Sequence, residues 1–176
     1  MPAGKYVRET RLGFCQAIWL TAIVILIIHN VRSSHNVGSM FRTADAAGVE
    51  KIFLSGYTPG PTDPRSKVRP EFVKVSLGAE NFVPWERTKT LAQAVKKVKK
   101  LGYTVVGIEQ HANSTPLFDY NAKGKKLAVV MGNEVRGISA QGLKHCDAVL
   151  EIPMQGKKES LNVSVAAGIA LFTLRK

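Results

Sequence analysis

Apolar residues run without interruption from Ile23 to Ile28, and mainly apolar runs recur over 52–55, 103–108, 127–131 and 148–152. Short unbroken runs rich in Val and Ile predict strands buried on both faces of a parallel sheet. Between them the spacing of apolar positions changes to three and four. Leu91, Ala94, Val95, Val98 and Leu101 mark the inner stripe of a helix over 90–101. Lys96, Lys97, Lys99 and Lys100 form its outer face, and Gly102 ends it. Leu161, Val165, Ile169 and Phe172 recur at helical spacing and predict the buried face of a last helix, with Ser160 as its N-cap. A helix opening at Ser34 or Asn36 and stopped by Gly48, and a short one over 138–145 capped by Ser139, complete the set. Residues 73–79 fit neither period, and Trp85, behind Pro84, reads as a core anchor in preference to a stacking surface. Strands and helices therefore alternate, and the fold class is α/β: a mostly parallel sheet with helices on both faces.

At 176 residues, 45% hydrophobic and 22% charged, the chain suits one globular domain. The boundaries read as an N-terminal extension over 1–20 and a domain over 21–176. The apolar stretch from Leu12 to Ile28 is about 17 residues, the short edge of a membrane span, and Lys5, Arg8 and Arg11 precede it. No small-residue cleavage site follows, and the stretch leads directly into polar H-N-V-R-S-S. Its second half is therefore expected to be a buried strand and its first half a segment covering the sheet, with no membrane attachment. Cys15 and Cys146 show no metal-ligand spacing and read as reduced thiols of a cytoplasmic protein. The formal net charge of +12 changes the picture more, because a field this positive on a small domain favours a polyanionic partner, most often nucleic acid.

Candidate chemistry gathers where strands end, since open α/β sheets bind ligands at the carboxyl edge of their strands. One strand end leads through H-N-V-R-S-S-H-N into a helix carrying Arg42. A lone helical arginine is ordinarily a surface charge; the polar loop before this one brings it toward a site. Another strand ends in Glu109-Gln110, a third breaks at Gly132 into Asn133, Glu134 and Gly137, and a fourth runs past Pro153 to Ser160, Asn162 and Ser164. The loop over 57–70 is long for a compact domain and carries Arg65, Lys67 and Arg69, a stripe suited to RNA phosphates.

Three blocks, N-V-R-S-S-H-N-V-G-S-M-F-R-T-A-D-A, V-M-G-N-E-V-R-G-I-S and I-P-M-Q-G-K-K-E-S-L-N-V-S-V-A, resemble in order and spacing the motifs of the SpoU (TrmH-like) branch of SPOUT RNA methyltransferases. The resemblance covers Ile23 to the end, and G-I-E-Q over 107–110 is similar to the family's strand before the second motif. It implies a C-terminal trefoil knot and a bent S-adenosylmethionine pocket lined by Ile108, Glu109, Met131, Gly132, Gly137, Ile152, Met154, Ser160 and Leu161, with no metal. It implies a homodimer in which Arg42 of one chain meets cofactor bound mainly by the other. Asn36, Glu134, Ser160 and Asn162 fall on the remaining polar motif positions and join Arg42 as the implied catalytic set. Arg42 is also implied to touch RNA. The implied activity is methyl transfer to a ribose 2′-hydroxyl of tRNA or rRNA. The alternative is a non-catalytic RNA-binding module of the same fold; intact Arg42, Asn162 and the glycine loops speak against it. Some relatives carry a separate RNA-binding domain before this one, which is not seen here, and residues 1–21 lie beyond the resemblance. Arginine keeps its proton in ordinary water, so two roles are open to Arg42: a strongly perturbed base, or a group that orients and polarises the hydroxyl while a phosphate or water receives the proton.

Overall fold

The computed structural model of the chain describes residues 22–175. The expected extension over 1–20, the first half of the apolar stretch and Cys15 lie outside the described residues. In chain order the elements are β1 (Ile23–His29), α1 (Ser34–Ala46), β2 (Lys51–Ser55), α2 (Pro70–Ser76), β3 (Trp85–Thr88), α3 (Leu91–Lys100), β4 (Thr104–Ile108), β5 (Thr115–Pro116), β6 (Lys126–Met131), α4 (Ala140–Leu143), β7 (Ala148–Glu151) and α5 (Val163–Leu174). The strands form one seven-stranded sheet in the order β3-β2-β1-β6-β4-β7-β5, and every pairing is parallel. Among the described residues no helix is long and apolar enough to cross a membrane.

β1 occupies the interior because its side chains serve two cores at once. Val24, Leu26 and Ile28 pack on the side of α1 and α5, together with Leu127, Val129 and Met131 of β6. Ile25 and Ile27 face the other way with Ala128 and Val130, against Leu91, Ala94, Val95 and Val98 of α3. The period of two along each strand thus sorts one apolar run into two buried layers. Parallel strands also place all their carboxyl ends on one edge. There β6, β4 and β7 are neighbours, with Ile108 in register with both Met131 and Leu150.

Several local expectations need correction. Residues 73–76 of the stretch that fits neither period belong to α2, which begins at Pro70 of the expected loop, where the proline sits in the first turn and lacks only an N–H the helix would leave free. Trp85 is the core anchor expected of it: it begins an edge strand, packs against the core and meets Phe41 edge to face at 6.4 Å. Leu101 lies just past α3 and is 60% exposed. Ser33, not Ser34 or Asn36, caps α1, its hydroxyl accepting from the Asn36 N–H at 3.2 Å. Ser160 is not the cap of α5; Asn162 is, accepting from the Ser164 N–H at 2.8 Å. The buried side of α5 is Val163, Ala167, Ala170, Leu171 and Leu174, whereas Leu161, Val165 and Phe172 are exposed. The sequence V-S-V-A-A-G-I-A-L-F-T-L is apolar nearly all the way round, so spacing alone does not single out a face.

α1 and α2 touch through a glycine. A β-carbon on Gly38 would lie 2.6 Å from both the Phe72 carbonyl oxygen and Val75 Cγ2. Replacing a mid-helix glycine by alanine normally favours the helix by about 1 kcal/mol. Gly38→Ala is expected to destabilise instead, by about 1–3 kcal/mol, because the packed backbone of α2 must move. Urea denaturation measures the change, and a gain in stability would show that α2 yields freely.

Candidate functional site

Three strand ends build one cleft. β4 contributes Ile108, Glu109 and Gln110, the turn after β6 contributes Met131 to Val135 and Gly137, and the segment from β7 into α5 contributes Ile152, Met154, Ser160, Leu161, Val163 and Ala166. All nine residues named for the pocket line it, Ser160 of the polar set among them, and Glu134 joins them. Gln110 and Asn133, read as polar groups at these strand ends, line it too, as do Val135, Val163 and Ala166, which sequence reasoning did not place there. These last neighbour named residues and carry no distinguishing signal of their own.

The turn after β6 is fixed by its own backbone. Asn133 and Gly137 exchange both backbone hydrogen bonds, at 3.1 and 2.9 Å. A β-carbon on Gly132 would lie 2.5 Å from the Ile138 nitrogen and 2.6 Å from the Gly137 oxygen. Glycine is thus required at 132 by the chain folding back on itself. Gly137 has φ +60° and packs against the Glu109 carboxylate. That carboxylate accepts from the Ile138 N–H at 2.7 Å and the Gln110 N–H at 3.1 Å. The Gln110 amide donates to the Glu159 carbonyl at 2.6 Å and holds the third wall to the first.

Glu134 ties the cleft to α1. Its carboxylate accepts from the backbone N–H of Arg32 at 3.0 and 3.2 Å, from that of Ser33 at 3.0 Å and from the Asn36 amide at 3.2 Å. Burial works against its charge, but these donors and its own N–H outweigh that cost and hold the carboxyl below its ordinary value of 4.5. Asn36 in turn accepts from the Asn162 amide at 3.2 Å, and Asn162 accepts from the Ser164 hydroxyl at 2.7 Å. One chain of hydrogen bonds, Glu134–Asn36–Asn162–Ser164, therefore joins all three sequence blocks. With these donors in place the Glu134 carboxyl favours its charged form.

Arg42 stands apart. It is exposed on α1 and lines a separate groove with Ser39, Thr43, Ala46, Lys74, Val75 and Phe172. Of the basic loop, Arg65 and Lys67 are exposed, their N–H groups donating to Asp63 Oδ1 at 2.8 and 2.9 Å. Arg69 parts from them and lines a groove with Arg32 and Arg136. Cys146 lies away from the cleft, half-buried between α4 and β7, and burial, with Asp147 beside it, pushes its thiol up to about 11. Among the described residues no cluster of His, Cys, Asp or Glu is arranged to hold a metal ion.

A parallel sheet with a cleft across three adjacent strand ends defines an α/β protein of the kind that binds a small cofactor at its carboxyl edge. The SpoU rRNA Methylase family model matches residues 23–172, and the chain belongs to that family. It is 37% identical over 148 residues to the 23S rRNA (guanosine-2'-O-)-methyltransferase RlmB of Escherichia coli K12, covering 84% of this chain and 58% of that one. It is 38% identical over 154 residues to an uncharacterized tRNA/rRNA methyltransferase of Archaeoglobus fulgidus, covering 86% and 64%. The chain thus spans less than two thirds of the length of either relative. The AdoMet-bound rRNA methyltransferase from Sinorhizobium meliloti superposes with a TM-score of 0.78 at 29% identity, over 89% of this chain and 57% of that one. The A. aeolicus TrmH/SpoU tRNA modifying enzyme does so with a TM-score of 0.74 at 28% identity, over 86% and 73%.

Glu134→Gln is expected to cost about 1.5–3 kcal/mol of stability at neutral pH, the range for hydrogen bonds to a charged group. Because the folded-state pKa is depressed, the carboxylate's contribution is complete above the unfolded value near 4.5 and is lost as pH falls through the folded value. The gap between wild type and variant should therefore close in acid. Urea titrations at a series of pH values check this; a gap that persists unchanged would place the stabilisation elsewhere.

Proposed function

We propose that this chain is an S-adenosylmethionine-dependent RNA methyltransferase acting on a ribose 2′-hydroxyl of rRNA or tRNA. The observation that carries the reading is the cleft at the ends of β4, β6 and β7, in a chain belonging to a family of rRNA methylases. The donor set suits the cofactor. Ile108, Met131, Ile152 and Leu161 give an apolar slot for an adenine ring, and Glu109 is placed to accept from ribose hydroxyls. The bound sulfonium cofactor supplies an electrophilic methyl group, so the protein's task is mainly alignment. In this reading Asn36 and Asn162 fix the mouth of the cleft, Ser160 lies on its rim, and Arg42 orients and polarises the 2′-hydroxyl. Arg65, Lys67 and Arg69 attract the RNA backbone. Action in the cytoplasm and a trefoil knot belong to the same reading. The knot is supported by β7 lying between β4 and β5, which both precede it in the chain.

A homodimer completes the site. Arg42 does not line its own chain's cleft; it sits beside Phe172 on an outer face. That face of α5 leaves Val165 50% and Phe172 55% exposed. A helix apolar all round is ordinarily buried all round, and a second copy both covers it and carries Arg42 to the neighbouring cleft.

Calorimetry with S-adenosylhomocysteine is expected to show binding without added metal; a folded sample that does not bind would sink the proposed activity. Arg42→Ala should keep that affinity and lose about a hundredfold of methyl transfer, with Arg42→Lys a poor rescue because lysine lacks the planar fork. Mixed dimers of Arg42→Ala and the cleft variant Ile152→Glu should regain one working site. No recovered activity in verified mixed dimers would mean that each chain works alone.

A further inference from the structure

The groove holding Arg69 opens beside the cleft and shares Asn133 and Val135 with it. Three guanidinium groups, of Arg32, Arg69 and Arg136, line this groove, with no acidic side chain among its lining residues. Among the described residues none of the three forms an ion pair. Arg69 Nε is buried and finds no hydrogen-bond partner there. The charge is felt locally: burial and then the nearby Arg69 push the Arg87 guanidinium below its ordinary value. An aromatic ring completes the groove. The Tyr57 N–H donates to Asn30 Oδ1 at 3.3 Å and its hydroxyl accepts from the Asn133 amide at 3.2 Å. The residue is held at its backbone and the ring at its hydroxyl, yet Tyr57 remains 59% exposed, and Val135, which lines the same groove, 84%.

Unpaired guanidinium groups recognise phosphates through planar forks, and a fixed exposed ring is a platform for an unpaired base. Resting on the reading of the cleft as a methyl-donor site, we propose that this groove holds the single-stranded RNA flanking the methylated nucleotide. Arg32, Arg69 and Arg136 hold its backbone phosphates, and Tyr57 stacks on one base. Its position next to Asn133 and Val135 puts the flanking nucleotides within reach of the cleft mouth. The substrate segment is therefore a loop or an opened strand, since a paired helix offers no free base face to Tyr57.

The test is binding of a short fluorescent, unstructured oligoribonucleotide across a salt series. Arg32 and Arg136 are both exposed, so Arg32→Gln/Arg136→Gln should fold and should flatten the slope of log affinity on log salt by about 1.4, about 0.7 for each phosphate no longer neutralised. Tyr57→Ala should weaken binding about tenfold, while Tyr57→Phe, which keeps the ring, should stay within about threefold of wild type. Lys96→Gln/Lys100→Gln removes equal charge from α3, none of whose residues lines this groove, and should cost much less. Equal losses from the lysine and arginine pairs, or a Tyr57→Ala variant binding as wild type does, would overturn the proposal. S-adenosylhomocysteine binding in the same samples reports separately on the cleft, so failure of the methyl-donor reading is distinguishable from failure of the groove.

Discussion

The carboxylate of Glu134 takes hydrogen bonds from two backbone N–H groups at the start of α1 and from the amide of Asn36. Those N–H groups belong to a helix terminus whose partial positive charge favours an anion, so one ionised group satisfies local donors and fixes the angle at which α1 leaves the sheet. The remaining structure depends on that angle. α1 packs against α2 through Gly38 and Phe72, and α5 lies alongside it. Asn36, one turn into α1, then reaches Asn162 at the start of α5. Removing the carboxylate would leave both the helix origin and the cleft rim without their common reference.

The sheet explains why this anchoring point coincides with the chemistry. A parallel arrangement delivers every strand end to one edge, and there the backbone has left its ladder and has free groups to offer. The turn after β6 uses that freedom twice. It folds Gly137 back onto Asn133, and it presents Glu134 to α1 and Asn133 to Asn30 and Tyr57, with the Asn133 amide also donating to the Glu134 carboxylate at 3.4 Å. Cleft, helix and arginine groove thus meet at two consecutive side chains.

The strands of the core were legible because an unbroken Val-Ile run has few other places to go than between two layers of helices. The edge strands were not. Trp85–Thr88 has three polar residues out of four and β5 is two residues long, so neither has a period to read. α2 is seven residues long and begins at a proline within a loop-like stretch. The face of α5 was misread because small and large apolar residues surround the whole helix, and Val163, Ala167, Ala170, Leu171 and Leu174 went to the core side while Val165 and Phe172 did not. Ser160 and Asn162 are both good caps, and only the placed backbone chooses between them. The cleft was legible at its strand ends. The groove was not, because Arg32, Tyr57, Arg69 and Arg136 come from separate loops whose meeting is a product of topology.

Val165 and Phe172 on the open side of α5 have a further consequence for how this protein behaves when dilute. In the paired arrangement proposed for Arg42, the area those side chains would hide counts toward folding only when a second chain is bound. Resistance to unfolding would then rise with the amount of protein present, by about 1.4 kcal/mol for each tenfold increase where folding and pairing are one equilibrium. An organism making little of this chain would hold it nearer its unfolding threshold than one making much, with no change in sequence.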